Sequence, residues 1–400
     1  MNKQTNTPEL RFPEFDEEWE KRKLGEVVNY KNGGSFESLV KNHGVYKLIT
    51  LKSVNTEGKL CNSGKYIDDK CVETLCNDTL VMILSEQAPG LVGMTAIIPN
   101  NNEYVLNQRV AALVPKQFID SQFLSKLINR NQKYFSVRSA GTKVKNISKG
   151  HVENFNFLSP DYTEQQKIGN FFSKLDCQIE LEEEKLELLE QQKRGYMQKI
   201  FSQELRFKDD NGNSSPDWSI KKIEDISKIN KGFTPNTKND EYWDELNENW
   251  LSIAGMTQKY LYKGNKGITE KGASKHAKVD KDTLIMSFKL TLGKLAIVKE
   301  PIYTNEAICH FVWKESNVNT EYMYYYLNSI NISTFGAQAV KGVTLNNDSI
   351  NSIIVKLPVI EEQNKIAYFF NKLDKLIRKQ YDKIEVLKHR KKGLLQKMFI

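Results

Sequence analysis

The chain has 400 residues, 39% of them hydrophobic and 27% charged, with a formal net charge of +8. Such a length suits two cores or more, and the basic excess permits a polyanionic partner without demanding one. No apolar run approaches the roughly 20 residues of a membrane span, and the opening MNKQTNTPEL lacks the apolar stretch of a signal peptide, so a cytoplasmic chain is expected.

In chain order, EEWEKRKLGEV from Glu17 leads into short β runs. YKNGGSF from Tyr30 is a glycine turn that suits close approach to a nucleic-acid backbone or an ordinary loop. GKLCNSGKY from Gly58 resembles a P-loop only in outline: its spacing is one residue too long, and Tyr66 stands where a Mg²⁺-binding hydroxyl belongs. DTLVMIL from Asp78 has strand length. Asn107, Gln108 and Arg109 offer amides to adenine and a guanidinium to guanine, or simply begin a strand. A helix follows through LINRNQKYFS. The loop VRSAGTKVKNISKG from Val137 then gathers Arg138, Thr142, Lys143, Lys145 and Lys149 around Gly141. Basic side chains and hydroxyls on such a loop suit phosphate contacts; the plain alternative is a solvated surface.

PDYTEQQKIGNFFSKLD starts at Pro160, and PVIEEQNKIAYFFNKLD starts 198 residues later at Pro358. The match runs without a gap to Ser202 and Ile400. Each copy carries a four–three apolar spacing, the a/d seam of a coiled coil. Ile168, Phe172, Leu175, Ile179, Leu186, Leu189, Tyr196 and Ile200 fill the first. Ile366, Phe370, Leu373, Ile377, Ile384, Leu387, Leu394 and Met398 fill the second. Both seams break at matching places, Glu182 with Lys193 and Gln380 with Lys391. Helices of about 38 residues, roughly 57 Å long, need a partner; the matched lengths and breaks favour the two packing on each other rather than each on its own domain. If they run antiparallel, the repeats are related by a pseudo-two-fold axis. One register then sets Glu182 opposite Lys391 and Lys193 opposite Gln380; the alternatives are solvent-edge positions or Glu182 meeting Gln380. PDYTEQQK has the acids and lysine of a nuclease in outline, but the glutamate is better read as favouring a helix N-terminus.

KDDNGNSSPD (208–217) is a turn-rich joint. The second half then echoes the first: Trp218 answers Trp19, DTLIMSF from Asp282 answers DTLVMIL, and Asn305 answers Asn107. INKGFTPNTK, with Lys231 and Thr234, is the second glycine turn. Lys289 and the loop AVKGVTLNND, with Lys341 and Thr344, complete the candidate nucleic-acid contacts. The expected fold is α+β: a first globular domain over 1–159, a long helix over 160–205, a second domain over 206–357 and a second long helix over 358–400. The repeats are expected to be related by a pseudo-two-fold axis.

The segment LRFPEF…EEWEKRKLGEV, together with LSPDYTEQQKIGNFFSKLD and KLPVIEEQNKIAYFFNKLD, resembles the specificity subunit of a Type I restriction–modification enzyme over essentially the whole chain. The resemblance implies that each globular half reads one half of a bipartite, asymmetric double-stranded DNA site. It implies that the helices set the spacer and dock two adenine methyltransferase subunits, through which restriction–translocase subunits join. It also implies no catalysis by this chain, with S-adenosylmethionine, ATP and Mg²⁺ on the partners. The residues themselves agree: no methyltransferase tetrapeptide and no G-x-G-x-x-G appears. The five cysteines (Cys61, Cys71, Cys76, Cys177, Cys309) and five histidines show no ligand spacing, so neither metal nor cofactor is expected on the chain. The rival readings are a coiled-coil scaffold whose heads bind protein, and a stand-alone nuclease.

Overall fold

The computed structural model describes residues 6–68, 72–85, 90–141, 144–208, 211–213, 215–274, 276–289, 291–339 and 342–400. The chain divides into two compact units: Met1–Glu184 with Tyr381–Ile400, and Lys185–Gln380. Each unit therefore contains one globular head and a stretch of both long helices, where the sequence assigns each helix whole to a segment of its own. Among the described residues, no helix is long and apolar enough to cross a membrane.

In the first unit β1 (Glu20–Lys23) leads to β2 (Val28–Asn32), β3 (Tyr46–Ile49), β4 (Tyr66–Ile67), β5 (Leu80–Ile83), β6 (Thr95–Ile97), β7 (Tyr104–Leu106), β8 (Val110–Pro115) and β9 (Asn156–Ser159). They form an antiparallel sheet in the order β2-β8-β5-β6, a smaller sheet β4-β3-β7 and the pair β1-β9. The second unit repeats the plan with β10 (Ser219–Lys222), β11 (Ser227–Lys231), β12 (Trp250–Leu251), β13 (Tyr260–Leu261), β14 (Leu284–Ser287), β15 (Leu295–Val298), β16 (Tyr303–Thr304), β17 (Ile308–Trp313), β18 (Ala337–Ala339), β19 (Gly342–Thr344) and β20 (Ile354–Leu357). Its main sheet runs β11-β17-β14-β15-β13. The central strands β5 and β14 are buried at every position, which is why they read as continuous apolar runs rather than alternations. Each is preceded by an aspartate in the left-handed region, Asp78 at φ 61° and Asp282 at φ 62°, a conformation that Asp tolerates better than bulkier residues.

The two long helices span Tyr162–Phe201 and Ile360–Met398. Their repeated Glu-Gln pair has a specific job. Gln165 Oε1 accepts the backbone N–H of Asp120 at 2.9 Å, and Gln363 Oε1 accepts that of Asn319 at 2.8 Å. Asp120 and Asn319 in turn cap the helices Ser121–Arg130 and Thr320–Ser329. Glu164, fully buried, takes both Arg11 Nε and Nη2 at 2.8 and 2.7 Å. Glu362 takes Arg206 Nε and Nη2 at 3.3 and 2.8 Å. The glutamate lies in the first turn of its helix, as its position suggested, and is also one arm of a bidentate ion pair.

Within each unit the helices run antiparallel. Phe172 meets Phe399 in the first and Phe201 meets Phe370 in the second, both at 5.9 Å between ring centroids. All the seam positions named above are buried or half-buried. The expected pairing of Glu182 with Lys391 and Lys193 with Gln380 is corrected: Lys391 Nζ pairs with Asp176 at 2.5 Å, and Lys193 Nζ with Asp374 at 2.5 Å, while Glu182 pairs with Lys383. The two seam lysines are each held by an aspartate of the other helix. They reach along the helix to the aspartate beside seam Leu175 or Leu373, because a long lysine stem lets the ammonium leave the apolar seam. The two pairs are counterparts in the repeat. Both aspartates have a further partner: Lys126 for Asp176 and the Tyr325 hydroxyl at 2.5 Å for Asp374.

Candidate nucleic-acid interface

Each unit has an edge where three segments are laced through one residue. In the first, Leu84, just past β5, donates its N–H to Arg109 O at 3.0 Å and accepts Ile147 N–H at 2.9 Å. In the second, Phe288, just past β14, donates to Ala307 O at 3.0 Å and accepts Leu345 N–H at 3.4 Å. The strand end, the start of β8 or β17, and the loop before the long helix are thereby held side by side. In the first unit Ser85 and Ala140 both bridge to Asn146, tightening that loop; in the second, the loop is the β18–β19 hairpin.

These edges gather several of the residues singled out above. Arg109 is exposed and stands at φ 67°. A non-glycine residue held in that region costs about 1 kcal/mol or more, so the turn keeps an arginine where glycine would be easier. Arg138 is exposed and stacks its guanidinium 3.8 Å from the centroid of the Tyr134 ring. Lys145 is exposed in the same loop. On the second edge, exposed Lys231 and Lys289 place their Nζ atoms 4.7 and 5.7 Å from the centroid of the Phe288 ring. Thr344 ends β19. Thr142, Lys143 and Lys341 lie outside the described residues.

Other candidates are turned inward or engaged. Asn107 is only 7% exposed. Its counterpart Asn305 donates Nδ2–H to Thr234 Oγ1 at 2.8 Å and accepts Ala307 N–H at 2.8 Å, so it builds its own turn and occupies Thr234. Gln108 donates Nε2–H to Glu37 at 3.1 Å. The glycine turns are demanded from within: a Cβ on Gly33 would lie 1.9 Å from Asn107 O, and one on Gly232 2.1 Å from Thr304 O. Sequence reading missed Phe288 as the hub of the second edge and set His276 aside for lack of ligand spacing. Its place against Phe233 has no local signal. Among the described residues, no cluster of three or more His, Cys, Asp or Glu is arranged to hold a metal.

The family model for the Type I restriction modification DNA specificity domain matches the chain twice, over residues 16–191 and 216–388. The MjaIX specificity subunit of a Type I restriction enzyme from Methanocaldococcus jannaschii is 30% identical over 209 residues, covering 50% of this chain and 48% of that one. The MjaVIII specificity subunit of the same organism is 21% identical over 423 aligned positions, 98% of this chain and 95% of its own. A crystal structure of the S subunit of a Type I restriction–modification system from M. genitalium shares the fold, with a TM-score of 0.63 at 17% identity over 98% of this chain and 99% of that one.

Proposed function

The chain belongs to the family of Type I restriction–modification DNA specificity domains, of which it carries two, and from that premise we propose that each unit reads one half of a bipartite, asymmetric duplex site through its laced edge. The observation that carries this reading is the recurrence of the lacing in both units, each time with exposed basic side chains around it: Arg109, Arg138 and Lys145 on one, Lys231 and Lys289 on the other. Arginine and lysine at a major-groove edge read guanine or hold phosphate. Asn107 and Thr234 act one step back, shaping the turns that carry these groups. The long helices set the spacer between half-sites and dock two methyltransferase subunits, with restriction subunits joining through them. The chemistry, with S-adenosylmethionine, ATP and Mg²⁺, belongs to those partners. The family match favours this reading over the protein-binding scaffold and the nuclease.

Mapping methylated adenines in cells with and without the chain tests the proposal. A two-part motif with a fixed gap is expected, and its absence overturns the reading. The chain alone, given duplex DNA, Mg²⁺ and S-adenosylmethionine, should bind in a strongly salt-dependent way and neither cut nor methylate.

A further inference from the structure

The second unit carries a surface feature that has no counterpart among the described residues of the first. The rings of Phe233 and His276 lie parallel, 6° apart in plane and 3.7 Å between centroids. Tyr303 meets Phe233 edge-on at 5.8 Å. Phe233 is fixed by its backbone, which donates to Thr304 O at 2.8 Å and accepts the Trp250 Nε1–H at 3.0 Å. His276 and Lys278 are exposed, and Lys278 Nζ lies 5.6 Å from the centroid of the Tyr303 ring. Phe233 follows Lys231 by two residues, and Lys231 already touches the Phe288 hub. The stack thus follows the laced edge closely in the chain and presents an exposed imidazole. In the first unit β2 runs into Gly33 and Gly34 where β11 runs into Gly232 and Phe233. A Cβ on Gly34 would sit 2.8 Å from the Phe36 ring, so that turn has no room for a side chain as it stands.

We propose that the Phe233–His276 stack is a specificity-determining contact of the second unit, taking the major-groove edge of an A·T pair in duplex DNA. The flat ring face suits the thymine methyl, and the imidazole edge, with one N–H donor and one acceptor nitrogen, suits the adenine N7, which accepts, and the adenine N6 amino group, which donates. Lys231 and Lys278 flank the stack as phosphate contacts, which position without discriminating. The first unit, with glycine in that place, reads its half-site without such a contact. The inference rests on the DNA reading above and adds a residue pair and a base-pair class to it.

The test is adenine-methylation mapping with the complete complex carrying His276→Ala or Phe233→Leu. His276 is exposed, and leucine keeps an apolar side chain beneath it, so both variants fold. The expected result is about a tenfold loss of discrimination at one A·T position of the second half-site, with the first half-site and the gap unchanged. An unchanged second half-site overturns the inference, as does a loss shared equally by both half-sites. If the unaltered complex yields no two-part motif, the DNA reading itself has failed, an outcome visible before any variant is made.

Discussion

Arg109 couples two energies that a single substitution separates. Its left-handed backbone favours glycine, while its exposed guanidinium favours DNA. Arg109→Gly is therefore expected to hold or raise thermal stability, by up to about 1 kcal/mol, while weakening binding to the first half-site about tenfold. A melting curve and a duplex-shift titration read the two effects apart, and a variant that loses both would make Arg109 structural. His310 tells the opposite story. It is 8% exposed, with Nε2 against Thr304 Oγ1 at 2.6 Å, and burial pushes its imidazole down to about 4. The folded value lies below the unfolded one, so the stabilisation is complete above about pH 6.5 and is lost as pH falls toward 4, by roughly 3 kcal/mol at most. Its counterpart in the sheet is Ala112, so the acid sensitivity should belong to the second unit alone. Hydrogen exchange as a function of pH, with His310→Gln as the control, checks this. Neither feature was legible in the sequence: the sign of φ at Arg109 and the burial of His310 depend on neighbours far along the chain.

The long helices were legible in outline. Their 3.5-residue spacing fixes which face is covered, and their repeated length and seam breaks implied mutual packing. The ion pairing across the seam was not legible, since periodicity defines a face without fixing how far one helix slides along another. That slide is fixed by end contacts such as Phe172 with Phe399, and by Lys391 with Asp176 and Lys193 with Asp374. The Arg11–Glu164 pair was equally hidden, because its arms are 153 residues apart. The register adds a condition to any change of spacer. Four residues inserted after Glu183 alone lengthen one helix and leave its partner short. Four after Glu183 and four after Gln380 keep each unit's lysine–aspartate pair and add about 6 Å. The double insertion should shift the methylation gap by about two base pairs while retaining both half-sites. Retention of the old gap in methylation maps would show that the helices are not the ruler.

At the scale of the molecule, the repeat was the most legible feature, and the unit boundary the least. A segment swap should be modular: replacing residues up to Ser159 with those of a relative is expected to change one half-site and spare the other, as read by methylation mapping. The structure adds that the first core also contains Met398 and Phe399, the latter packed against Trp19 and stacked on Phe123 at 5.3 Å. A relative whose segment fits a different closing residue should give a swapped chain that binds only when its 381–400 stretch is exchanged as well. The sequence marked Phe201 and Phe399 as equivalents; that Phe399 completes the other half's core could only come from three-dimensional packing.

That packing also has a consequence in time. Ribosomes deliver residues in order, and domains generally fold as they emerge. The second unit, Lys185–Gln380, is complete in one uninterrupted stretch of synthesis. The first begins earlier but waits for Phe399, which appears after every residue of the second. The half that is made first is therefore the half that closes last, and until then the apolar faces of Trp19, Phe123 and Phe172 stand open in the nascent chain. A chain halted at Gln380 should give a protease-resistant second unit beside a first unit that chaperones hold and proteases cut.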